Sequence, residues 1–209
     1  MGNNPFINDL LQIGSVQIKT EDFFTWTSGL KSPIYCDNRL TMSYPSIRKR
    51  IAEGFAAAIR NKGEKIDVIA GCATAGIPHA AWVADLLELP MVYVRSSPKK
   101  HGKGNRIEGV VEKGSRAIVI EDLISTGKSS IEAAEALQNE GVEIVDVLSI
   151  FTYNLTLAEE AFKNSNLTYQ SLAAYDELLT LMKENEELSA AQLEKLEKWK
   201  ADPQIFTES

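Results

Sequence analysis

Two adjacent carboxylates, Glu121 and Asp122, end an apolar run, Ala117-Ile118-Val119-Ile120. They lead through Leu123 and Ile124 into a hydroxyl- and glycine-rich turn, Ser125-Thr126-Gly127-Lys128-Ser129-Ser130. An uninterrupted apolar run is what a buried parallel strand requires. In open α/β sheets, ligands bind beyond the carboxyl ends of such strands. A helix beginning in the turn offers unpaired N–H groups and the positive end of its dipole, which suits a phosphate. Gly127 lets the backbone come close, and Ser125, Thr126, Ser129 and Ser130 add hydroxyl donors. The two carboxylates would repel a phosphate, so they serve another group, and the 2′- and 3′-hydroxyls of a ribose fit. The segment reads as a sugar-phosphate site. The plainer alternative is an ordinary strand-to-helix turn with an acidic cap.

Two rival motifs fail on spacing. Gly127-Lys128-Ser129 resembles the end of a Walker A loop, but that loop needs glycine five residues before Gly127, where Asp122 stands. Gly102-Lys103-Gly104 resembles the start of a dinucleotide motif, but Ile107 occupies the place of the third glycine and no strand leads directly into it. The same stretch is a cationic island. Arg95, Lys99, Lys100, His101, Lys103 and Arg106 follow one another with no acid between them, in a chain of net charge −7. That contrast points to a local anionic ligand and argues against nucleic acid as the partner. Taken singly, Arg95, Lys100 and Lys103 could equally be solvated charges.

The elements that must position these residues alternate. Helix signals cover 5–13, 45–61, 76–87, 126–139, 176–183 and 189–200, and strand signals cover 65–70, 91–94, 117–120 and 143–151. Pro45 suits a first turn, Gly63 and Gly141 follow helix ends, and Ser189 is placed to cap the last helix, whose charges read as a solvated face. Strand–helix–strand order argues for an α/β fold, a parallel sheet flanked by helices, in one domain over 1–209. Residues 96–114 hold four glycines and a proline, too long and polar for a plain connection, and read as a functional mobile loop. His79 reads as a helix residue near the site, and Trp26, Trp82 and Trp199 as packing residues. Cys36 and Cys72 are too few and too far apart for a metal cage and read as reduced thiols. No apolar run is long enough to span a bilayer, and the first ten residues lack the pattern of a signal peptide, so a cytoplasmic protein is expected.

Residues 119–130 resemble the phosphoribosyl-pyrophosphate motif of type I phosphoribosyltransferases: an apolar strand, two acids, two apolar residues, then Ser-Thr-Gly. Three further segments resemble the orotate phosphoribosyltransferases. They are Phe24-Thr25-Trp26-Thr27-Ser28-Gly29-Leu30-Lys31-Ser32-Pro33-Ile34-Tyr35, the loop Lys99-Lys100-His101-Gly102-Lys103-Gly104, and Gly71-Cys72-Ala73-Thr74-Ala75-Gly76-Ile77-Pro78. The likeness runs over about residues 6–183. It implies the type I fold with about five parallel strands, an N-terminal hood over 1–40, and transfer of ribose 5-phosphate from 5-phosphoribosyl 1-pyrophosphate (PRPP) to orotate. It also implies Mg²⁺ held mainly by the substrate, and a homodimer whose basic loop, 98–109, reaches the partner's site. It assigns no role to a C-terminal helical extension over 185–209.

The implied PRPP site comprises Arg95, Lys99, His101, Glu121, Asp122, Leu123, Ile124, Ser125, Thr126, Gly127, Lys128 and Ser129, with Lys99, His101 and Asp122 as the catalytic group. Orotate would meet Ser125, Lys31 and Tyr35. Two positions depart from the family: many members carry lysine where this chain has Thr27 and Ala75. Lys31 is the candidate replacement for the first, and the second has none. A purine phosphoribosyltransferase or a non-enzymatic nucleotide sensor would share the 121–129 segment, but neither needs both the 24–35 segment and the basic loop.

Overall fold

The computed structural model describes residues 4–26, 29–97 and 106–206. The hood comes first. Helix α1 (Pro5–Gln12) starts where the Asn4 side chain accepts from the Phe6 N–H and Pro5 occupies the first turn. Four very short strands follow: β1 (Val16–Ile18), β2 (Phe24–Thr25), β3 (Lys31–Ser32) and β4 (Ile34–Cys36). β1 pairs with β4 and β2 with β3, both antiparallel. A 3-10 turn (Asn38–Ser43) leads into α2 (Pro45–Asn61).

The body is a βα succession: β5 (Val68–Cys72), α3 (Gly76–Leu87), β6 (Met91–Val94), β7 (Ile107–Glu108), β8 (Arg116–Ile124), α4 (Lys128–Asn139), β9 (Glu143–Thr152), α5 (Thr156–Asn164), β10 (Tyr169–Ala174), α6 (Tyr175–Glu184) and α7 (Ala190–Ala201). Six strands form one sheet in the order β10-β9-β8-β5-β6-β7. Every pairing is parallel except β6 with β7. The sheet is therefore mixed rather than wholly parallel: the chain leaving β6 turns back, and Ile107 and Glu108 pair with Val94 and Tyr93. A two-residue strand has no periodicity to betray it.

Side chains alternate between the two faces. Ile69, Ile118, Ile120 and Leu148 enter a core built with α1, α2, α3, α6 and α7. Val68, Ala70, Ala117, Val119 and Val147 enter the other, with α4 and α5. Burial on both faces explains why these strands read as unbroken apolar runs. Chain order turns outward in opposite directions from β5 and β8, so the crevice between their carboxyl ends is the switch point at which open α/β sheets bind ligands.

Three boundaries move from the sequence expectation. β5 starts at Val68 rather than residue 65, because Lys65 and Asp67 pair with each other at 2.6 Å. α4 starts at Lys128 rather than residue 126, because Gly127 takes the left-handed φ of +80° and closes the turn first. α5 and β10 fall in a stretch for which the sequence gave no clear signal. The last helix, read as solvated, instead buries Leu196 and Trp199 completely.

Candidate active site

Glu121 and Asp122 sit near the carboxyl end of β8, where the strand is about to leave the sheet. Glu121 is only 5% exposed. One carboxylate oxygen accepts from the Ser129 hydroxyl at 2.9 Å and the other from the Asp122 N–H at 3.0 Å. Burial raises the carboxyl pKa of both residues, and for Glu121 the charge of Asp122 adds to it. The pair therefore holds two negative charges reluctantly and favours groups that donate hydrogen bonds or positive charge. A ribose diol or a cation is such a group.

The hood is tied to this pair. The Asn38 side chain, buried in the 3-10 turn, accepts from the Ser15 hydroxyl at 2.9 Å and donates to the Asp122 carbonyl at 2.7 Å. Arg39 pairs with Asp37 at 2.6 Å, and its charge lowers the Asp122 pKa against the larger effect of burial. Thr41 donates to the Asn38 carbonyl at 2.6 Å and lies 3.3 Å from His79 Nε2. Burial draws His79 down to about 4, so it is neutral at ordinary pH. It braces the turn and stands edge-on to Trp82, consistent with its reading as a helix residue near the site.

Two cavities open on this edge. The first, about 320 Å³, is lined by Leu123, Ser125, Thr126, Gly127, Lys128, Ser129 and Glu132, at the start of α4. Backbone N–H groups and hydroxyls converge there, as an anion requires. Gly127 is needed twice over: its φ is positive, and a Cβ would come 2.6 Å from the Phe162 ring. Ile124 points into the core, and its carbonyl accepts from the Thr152 hydroxyl and the Tyr153 N–H, both at 3.1 Å. The second cavity, about 290 Å³, is lined by Thr25, Trp26, Tyr35, Cys36, Leu123, Ser125 and Tyr153. Trp26 lies stacked on Tyr153, with ring centroids 5.5 Å apart. Flat apolar walls with a few polar groups suit a planar heterocycle. Leu123 and Ser125 belong to both cavities, so a molecule in one abuts a molecule in the other.

Of the residues expected at the base, Tyr35 and Ser125 line the second cavity. The Lys31 ammonium donates to the Thr25 hydroxyl at 2.8 Å across the β2–β3 pair, and Thr25 lines that cavity. Sequence reasoning missed Thr25, Cys36 and Tyr153 as liners and gave Trp26 a packing role alone. Tyr153 directly follows a strand that the sequence did show, which was the available signal.

Arg95 lies just beyond β6, and its guanidinium pairs with Glu108 at 3.3 Å. Its neighbourhood joins the 71–76 loop, since the Ala73 N–H donates to the Val94 carbonyl at 2.9 Å. In that loop the Ala73–Thr74 peptide is cis. Gly76 is the closest approach of all: a Cβ there would lie 2.4 Å from the Ile120 carbonyl oxygen, so glycine alone lets α3 start against the end of β8. Ala75 precedes α3 with no side-chain cap. Lys99, Lys100, His101 and Lys103, and also Thr27, lie outside the described residues.

Among the described residues, no helix is long and apolar enough to cross a membrane. The phosphoribosyl transferase domain family matches residues 43–167. The orotate phosphoribosyltransferase of Oceanobacillus iheyensis is 60% identical over 187 residues, covering 90% of this chain and 93% of that protein. That of Fusobacterium nucleatum is 58% identical, covering 88% of each. The crystal structure of orotate phosphoribosyltransferase from Aeropyrum pernix superimposes with a TM-score of 0.72 at 25% identity, over 85% of this chain and 99% of that one. A site of this shape, in a chain this similar to such enzymes along nearly its whole length, leaves one family: the chain belongs to the orotate phosphoribosyltransferases.

Proposed function

We propose that the protein transfers ribose 5-phosphate from PRPP to orotate, giving orotidine 5′-monophosphate and pyrophosphate on the route to UMP, in the cytoplasm and as a homodimer with shared active sites. The carrying observation is the pair of cavities that meet at Leu123 and Ser125, one at a helix start and one walled by aromatic rings.

In this reading the 5′-phosphate occupies the first cavity and accepts from Ser125, Thr126, Gly127, Lys128 and Ser129. Orotate occupies the second, against Tyr35, Trp26 and Tyr153, with Lys31 acting next to Thr25. Asp122, together with Glu121, accepts from the ribose hydroxyls and holds C1′ between leaving group and base. Positioning of that kind lowers the barrier most when the ring becomes oxocarbenium-like and its hydroxyls become stronger donors. Arg95, Lys99, His101 and the backbone N–H groups of residues 71–76 would receive the departing pyrophosphate.

Mg²⁺ fits the donor set in one way. Among the described residues no three His, Cys, Asp or Glu gather as a cage. Most of its oxygens would therefore come from PRPP, with Asp122 as the protein's share. Bound there, the ion would neutralise charge on the pyrophosphate.

Apolar surface on the hood side supports the homodimer: Leu40, Tyr44 and Leu86 are exposed beside a groove lined by Pro45, Ala52 and Trp82. The test of the activity is ultraviolet loss of orotate on adding PRPP and Mg²⁺. Consumption of adenine or hypoxanthine with orotate untouched would overturn it.

A further inference from the structure

Helix α7 carries none of the groups assigned above, yet its Trp199 is 0% exposed. The indole N–H donates to the Lys31 carbonyl at 3.1 Å, in the hood strand β3. The ring stands edge-on to Trp26, with centroids 5.9 Å apart at 90°, and to Tyr153, 6.0 Å apart at 76°. Those are the two stacked rings that wall the second cavity. Earlier in α7, Gln192 donates to the Thr20 hydroxyl at 3.1 Å and Lys195 to the Thr20 carbonyl at 3.0 Å. The Lys195 ammonium also lies 4.5 Å from the Phe23 ring centroid. The helix thus grips the hood on both sides of β2. It is fastened to the body by Lys200, which pairs with Asp176 at 2.8 Å, and by the Tyr175 hydroxyl, which donates to the Leu196 carbonyl at 3.4 Å.

The hood needs such a grip. Its strands are two or three residues long and form only two-stranded ladders, which are marginal alone. Edge-to-face contacts fix the angle of a ring as well as its position. We propose that Trp199 is a positioning residue for the base. It sets the plane of the Trp26–Tyr153 wall and the placement of β3, and acts on orotate through them without touching it. This rests on the assignment of the second cavity to orotate.

Trp199→Phe in the full-length protein keeps a ring in place and removes the donor to Lys31. The Michaelis constant for orotate is expected to rise about five- to tenfold, as loss of one buried hydrogen bond would give. The constant for PRPP and the kcat should stay within about twofold. A purely structural tryptophan would instead lower the melting temperature and move both constants together, or neither, and that result overturns the proposal. Should the phenylalanine variant not fold, Gln192→Ala with Lys195→Met loosens the grip on Thr20 from the exposed side. A selective rise in the orotate constant is expected there too, and an even or absent change overturns the proposal. Wild-type protein that does not use orotate would overturn the cavity assignment itself, a distinct outcome.

Discussion

Glutamine in place of Glu121 keeps the shape of the side chain and removes its titration. Burial first, and the Asp122 charge second, lift the Glu121 carboxyl from 4.5 to about 8. Between those values the folded, unliganded protein holds a proton that the unfolded chain has lost. Its stability therefore falls as pH rises through that interval. From pH 7 to pH 8 the folded protein keeps about three-quarters of that proton on average, which at ~1.4 kcal/mol per pH unit gives ~1 kcal/mol. For a chain of this size that is about 2–4 °C in Tm. His79 stays out of this window: it is held neutral down to about 4 and ionises at 6.5 when unfolded, so its contribution grows with pH and is complete above 6.5. Thermal melts of wild type and Glu121→Gln at the two pH values, without ligand, read the difference. Wild type should lose about 2–4 °C more than the variant. Parallel losses would mean that Glu121 is already ionised in the empty site, and the reasoning from burial and pairing would fail.

Asp122→Asn should lower kcat/KM for PRPP about tenfold, since charge-assisted bonds are about twice as strong as neutral ones; near-normal values would remove Asp122 from the ribose. Gly76→Ala should cost about 2–3 kcal/mol, because the new Cβ meets backbone that cannot yield, and should lower Tm by roughly 5–10 °C; an unchanged melt would contradict the close approach of α3 to β8. If the basic loop acts across a homodimer, Lys99→Ala and Asp122→Asn should each be nearly inactive alone, yet regain up to about a quarter of normal activity when their subunits are exchanged. Free exchange with no recovery would place the loop in its own subunit.

The sugar-phosphate end of this site was legible because it is local. The strand that buries residues 117–120, the carboxylates that follow it and the turn that begins α4 are contiguous, so each residue type could be matched to a task without knowing the fold. Gly76 was legible only as part of a motif; its reason, the Ile120 carbonyl 2.4 Å from where a Cβ would be, lies on another strand. The base end is composite. Thr25, Trp26, Tyr35 and Cys36 come from strands too short to show a period, and Tyr153 comes from beyond β9. Trp199 was hidden by its neighbours. Glu194, Lys195, Glu197, Lys198 and Lys200 make the helix read as solvated, although Leu196 and Trp199, three apart, share one face.

That division has a physical basis. A phosphate asks for backbone N–H groups and a helix dipole, which one turn can supply. A planar heterocycle asks for flat apolar area on two sides and a few polar groups at its edge, and no single turn provides opposed walls. The base cavity must therefore be assembled from separate elements. Its accuracy then depends on whatever holds those elements together, here the Asn38 bond to Asp122 on one side and the Trp199 contact with Trp26 and Lys31 on the other. Substitutions at the turn should thus disturb PRPP, a loss readable from sequence, whereas substitutions far along the chain in α7 should disturb the choice and placement of the base.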